Sequence, residues 1–82
     1  MTSADKIVSY CEFVKAMLLD KNKKYGDSAL HPIRIFSNAD TKEQIKVRID
    51  DKLNRIMNRK NNEDEDVILD LIGYLILYQI AE

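Results

Sequence analysis

Residues 67–81 constrain this chain more than any other stretch. Nearly every helical face of that run is apolar, yet one carboxylate, Asp70, stands within it. An ordinary surface helix buries a single stripe, whereas a helix that is apolar all round is central to a bundle or shared between subunits. The run holds fifteen residues and a charge, too short and too polar for a membrane span of about 20 residues. Asp70 needs a specific partner, because an unpaired buried charge is costly. A base and a metal ion both satisfy that need, and the spacing leaves the choice open.

The 82 residues make one domain, 1–82, and a chain of this length has a core that is marginal alone. Small cores are usually stapled by disulfides, a metal or a partner subunit. Cys11 is the only cysteine, so no disulfide forms within one chain, and this usage suits a reducing cytoplasm. Oligomerisation is the expected staple, with a metal next. Thirteen bases stand against fourteen acids, so general nucleic-acid binding, which goes with a basic excess, is not favoured. The bases nevertheless concentrate between Arg34 and Lys60, and a local patch can serve a small anion. The opening residues carry no signal or transit pattern, which adds to the expectation of a cytoplasmic protein without a membrane partner.

Periodicity predicts three helices and no strand. The first covers about residues 4–23, with Thr2 or Ser3 as N-cap and Thr2-x-x-Asp5 resembling a capping box. Its buried stripe is expected to be Ile7, Tyr10, Cys11, Val14, Met17 and Leu18. Gly26 suits a left-handed stop after it. Residues 29–40 hold the only proline, Pro32, and read as an irregular connection packed down by Leu30, Ile33, Ile35 and Phe36. The second helix covers residues 41–60, with Thr41-x-x-Gln44 as a capping box and Ile45, Ile49, Leu53 and Ile56 as core. Asn61 and Asn62 break the pattern before the third helix, whose acidic start at residues 63–66 complements the helix dipole. Gly73 shares a side with Asp66 and Asp70, which lets a neighbouring backbone or a ligand approach. Tyr74 and Tyr78, four residues apart, read as packing.

Two charged rows carry the functional reading. Arg48, Lys52, Arg55 and Arg59 recur at spacings of four, three and four, and at about 100° per residue they form one row beside the core stripe. A base in that position is half desolvated, and arginine meets phosphate in bidentate geometry. The bland alternative is a solvated face with pairs such as Asp51 to Arg55. Glu63, Asp66 and Asp70 form the opposed acidic row, spaced to hold magnesium through oxygen ligands. Dipole complementation by Glu63 and Asp66, with Asp70 bridged to Arg48 or Lys52, explains the same row without a metal. Tyr25, Gly26, Asp27 and Ser28 offer a ring for base stacking, backbone N–H groups and a hydroxyl, although an ordinary helix stop looks the same. His31 and Arg34 can add polar contacts. Cys11 reads as core. No catalytic triad, zinc spacing or Walker-type loop is present.

Three blocks carry a family resemblance: Lys24-Tyr25-Gly26-Asp27-Ser28, Val47-Arg48-Ile49-Asp50-Asp51-Lys52-Leu53-Asn54-Arg55-Ile56, and Glu65-Asp66-Val67-Ile68-Leu69-Asp70-Leu71-Ile72-Gly73-Tyr74-Leu75. Spanning about residues 23–80, they resemble a small phage-borne domain family linked to nucleotide modification. The first and third blocks are also similar, more distantly, to the all-α nucleoside triphosphate pyrophosphohydrolases of the MazG type. Those enzymes hold magnesium with Glu-Glu-x-x-Glu on one helix and Glu-x-x-Asp on another. Glu63-x-x-Asp66 matches the second motif, with Asp70 one turn on, whereas the first motif is missing. The resulting expectation is an all-α, compact bundle of three main helices, assembled as a homo-oligomer in the host cytoplasm. It binds a nucleotide or nucleotide-derived second messenger through Tyr25, Gly26, Ser28, Arg34, Arg48, Lys52 and Arg55, and sequesters a host antiviral defence signal without cleaving it. The alternatives are a magnesium-dependent pyrophosphohydrolase using Glu63, Asp66 and Asp70, and a helical protein-interaction module.

Overall fold

The computed structural model describes residues 1–58 and 66–82. Arg59, Lys60, Asn61, Asn62 and Glu63 therefore lie outside the described residues. Three helices are found, α1 (Ser3–Lys24), α2 (Thr41–Met57) and α3 (Val67–Ile80), with no strand among the described residues. The expected all-α, three-helix architecture is thus observed.

Local chemistry sets each helix end. At the start of α1 the Thr2 hydroxyl accepts the Asp5 N–H at 3.1 Å while the Asp5 carboxylate accepts the Thr2 N–H at 3.0 Å, a reciprocal capping box. The helix closes in a Schellman turn. The Tyr25 N–H reaches the Lys21 carbonyl and the Asp27 N–H reaches the Asn22 carbonyl at 3.1 Å, with Gly26 left-handed at φ 62°. Asp66 caps α3 by accepting the Leu69 N–H at 2.9 Å.

The start of α2 corrects the expectation of a Thr41 capping box. Asp40 is the N-cap, accepting the Glu43 N–H at 2.8 Å from extended backbone, and Gln44 bonds the Ala39 carbonyl instead of its own cap. A carboxylate at the N-cap gains from the helix dipole as well as from the hydrogen bond, so Asp40 takes the position ahead of its neighbour. Thr41 becomes the first helical residue, buried, with its hydroxyl accepting from Arg34 Nη2 at 2.7 Å. Asn58 forms the C-cap, its N–H and side-chain amide both meeting the Asn54 carbonyl.

The helix that is apolar all round is the central one. α3 packs extensively along α2 and more sparingly on α1, whereas α1 and α2 do not pack on each other. Gly73 is buried where α1 crosses: a Cβ built there meets Leu18 Cδ2 at 3.1 Å and Met17 Cε at 3.4 Å. The buried apolar residues are Val14, Ile45, Val67 and Ala81. Outside the core, Lys42 and Lys46 place their ammonium groups 5.5 and 5.8 Å from the Tyr78 ring centroid.

Several expected core residues are exposed. On α1 these are Ile7, Tyr10 and Cys11, because the stripe continues beyond the part of the helix that α3 covers. Leu53 on α2 and the connection residues Ile33, Ile35 and Phe36 are exposed too, so the connection does not pack down as expected. The accessible surface is 6739 Å², where a monomer of this mass exposes about 5000 Å². The radius of gyration is 14.3 Å against about 12 Å for an ordinary domain of this length. No helix among the described residues is long and apolar enough to cross a membrane.

Candidate functional site

One carboxylate joins all three helices. Asp70 of α3 places Oδ1 3.3 Å from Lys21 Nζ of α1 and Oδ2 3.5 Å from Lys52 Nζ of α2. The Lys52 side chain is 12% exposed and that of Asp70 is 20%, so this pair is far less screened than a surface ion pair. Lys52 is one of the two bases expected for Asp70. Lys21 was not anticipated, because no sequence periodicity links α1 to α3.

The turn after α1 is held in a conformation that L-residues rarely adopt. Asp27 follows Gly26 at φ 63°, which costs a non-glycine residue about 1–2 kcal/mol. Its carboxylate accepts Asn22 Nδ2 at 2.6 Å on one oxygen and meets His31 Nδ1 at 2.6 Å on the other. The His31 N–H also reaches the Asp27 carbonyl, so both ends of Asp27 are fixed. Tyr25 and Ser28 are thereby presented on one side of the turn.

Two cavities meet at that turn. One, of about 310 Å³, lies between α1 and α3 and is lined by Leu18, Lys21, Tyr25, Asp27, Ser28 and Tyr74 among others. The second, of about 250 Å³, lies between the connection and α2 and includes Ser28, Pro32, Gln44 and Arg48. Ser28 and Ala29 line both. Arg48 is exposed and makes no ion pair with the described residues. The first cavity therefore offers an aromatic ring with a lysine at its edge, and the second offers an unpaired guanidinium. Asn22 and Tyr74 join this site without having been anticipated as contributors, since their role depends on the fold of the turn against α3.

The remaining candidates divide. Gly26 shapes the turn and lines neither cavity. Arg34 lies apart, bonded to Thr41 and lining a third cavity with His31 and Glu82. Arg55 is half-buried and places Nε 3.5 Å from Asp51, the intrahelical pair anticipated as its bland alternative. Of the possible magnesium ligands, Glu63 is outside the described residues, Asp66 Oδ1 is engaged in its capping bond, and both Asp70 oxygens face ammonium groups. Asp66 thus serves as a helix cap and Asp70 as the centre of a three-helix ion-pair cluster. Among the described residues no cluster of three acidic, histidine or cysteine side chains is suited to hold a metal.

No protein-family model, curated protein or solved structure matches the chain.

Proposed function

We propose that this protein binds a nucleotide or a nucleotide-derived second messenger and holds it without transforming it. The observation that carries the reading is the pair of cavities sharing Ser28, one edged by the Tyr25 ring and the other by the unpaired Arg48. Ligand pockets start at about 300 Å³, and the cavity edged by Tyr25 alone reaches about 310 Å³. Tyr25 is 67% exposed and its ring accepts a base by stacking, while Arg48 takes a phosphate with charge-assisted hydrogen bonds. Ser28, which lines both cavities, offers a hydroxyl to a sugar or a phosphate oxygen. Lys52 contributes through Asp70, which keeps the α2 base row in register with α1. The family resemblance adds the setting: a phage-borne sponge in the host cytoplasm that sequesters an antiviral defence signal.

Equilibrium binding to a panel of linear and cyclic nucleotides, with and without magnesium, tests the proposal. Tyr25→Ala and Arg48→Ala are each expected to weaken binding roughly 10-fold or more, given about 1–3 kcal/mol per stacked base or charged hydrogen bond. The nucleotide is recovered unchanged, and magnesium is not required. Release of a monophosphate and pyrophosphate supports the hydrolase alternative instead. Absence of affinity for every nucleotide removes the reading.

A further inference from the structure

We infer that the apolar groove between α1 and α3 is filled by the amino-terminal half of α1 from a second copy of this chain, in a reciprocal, antiparallel pairing. The groove is lined by Tyr10, Cys11 and Leu19 of α1 and by Ile72, Ile76 and Ile80 of α3, and it encloses about 540 Å³. Leu19 is 63% exposed and Ile80 59% exposed, so the single chain leaves this surface open along both helices. The occupant is indicated by α1 itself. That helix has 22 residues, about 33 Å, against 14 residues, about 21 Å, in α3. Ile7 and Val8 are exposed, and at about 100° per residue they lie on the same side as Leu18 and Leu19. An uncovered, apolar end of a helix is marginal in water and takes its stability from packing.

Charge gives the direction of the pairing. The first half of α1 holds Asp5 and Glu12 against Lys6, and its second half holds Lys15, Lys21, Lys23 and Lys24 against Asp20. Within one copy Lys15 pairs with Glu12, Lys24 with Asp20 and Lys21 with Asp70. It is therefore the net balance of the halves, acidic in the first and basic in the second, that an antiparallel pairing sets against each other twice over, as a two-fold interface requires. Area agrees. Over its whole surface the chain exposes roughly 1700 Å² more than an ordinary monomer of its mass, of which the open faces of α1 and α3 are one part, and a stable interface needs about 800 Å² from each partner. The pairing stands independently of nucleotide binding.

Cys11 lines the groove and is exposed in the single chain, so its thiol reports the pairing in the unmodified protein. The mass in solution is measured by light scattering, together with the rate of maleimide labelling of Cys11 across a dilution series. A dimer, or an even multiple of it, is expected, with labelling slowed at least about tenfold at concentrations where it dominates. Leu19→Glu and Ile76→Glu are expected to give helical monomers that label at the rate of an open thiol. A monomeric wild-type protein overturns the inference. So does an oligomer in which Cys11 labels at the unprotected rate, because the interface then lies elsewhere.

Discussion

Asp70 is the residue on which the three helices meet, since α1 and α2 touch α3 but not each other and each sends a lysine to this carboxylate. Asp70→Ala leaves the largely buried Lys52 ammonium beside an empty position. It is expected to lower stability by about 1.5–3 kcal/mol, the range for hydrogen bonds to charged groups, read as a fall in the urea midpoint. Arg48→Ala, exposed and outside every ion pair of the described residues, is expected to shift that midpoint by no more than about 0.5 kcal/mol while weakening the ligand. The two variants separate the residue that holds the fold from the residue that holds phosphate. The need of Asp70 for a partner was legible in the sequence, because one acid in an apolar run has few alternatives. Lys52 was legible from its row. Lys21 was not, as its distance from Asp70 follows from how α1 crosses α3.

At the scale of the element, caps and glycines decide where helices start, stop and cross. The Asp5 carboxyl is held below the usual aspartate range by the Thr2 backbone N–H and, second, by the Thr2 hydroxyl. Its folded value is depressed, so the capping contribution is complete above the ordinary aspartate value. That contribution is lost as pH falls below this value and through the depressed one. Amide exchange in the first turn of α1 is expected to quicken over that acidic interval, and Asp5→Asn is expected to flatten the change. Gly26→Ala has room for its Cβ but places alanine at φ 62°, an expected loss of about 1 kcal/mol. Gly73→Ala is opposed only by the Leu18 methyl at 3.1 Å. That methyl is the far end of a flexible side chain that also borders the cavity edged by Tyr25, and it can retreat. The helix-propensity gain of about 1 kcal/mol then prevails, and the melting temperature rises by a few degrees. Gly73→Leu, with no such room, separates α1 from α3. Periodicity made all three helices readable, and the Thr2–Asp5 box with them. α2 starts at residue 41 as expected, but Asp40 takes the N-cap expected of Thr41, both being good caps. The carboxylate's gain from the helix dipole favours Asp40, and Arg34 engages the Thr41 hydroxyl from a loop without periodic pattern.

For the whole molecule, an 82-residue chain with three helices and one central apolar helix leaves much of its apolar surface open. The α1 stripe was legible as apolar, but periodicity does not state what covers a stripe, so Ile7, Tyr10 and Cys11 were expected inside the chain and stand outside it. The candidate site was legible in part for a related reason. Tyr25 and Arg48 line two neighbouring cavities that share Ser28, whereas Arg34 and Arg55 are drawn to Thr41 and Asp51. A sequence row ranks bases by helical angle, and the fold then sorts them by the partners within reach. The most direct measurement of the central claim is native mass spectrometry of the purified protein mixed with linear and cyclic nucleotides, with and without magnesium. The predicted result is an even-numbered assembly carrying intact nucleotide in both conditions, with the adduct lost in Arg48→Ala. A protein that retains no nucleotide, or one that converts it to a monophosphate and pyrophosphate when magnesium is added, contradicts the account.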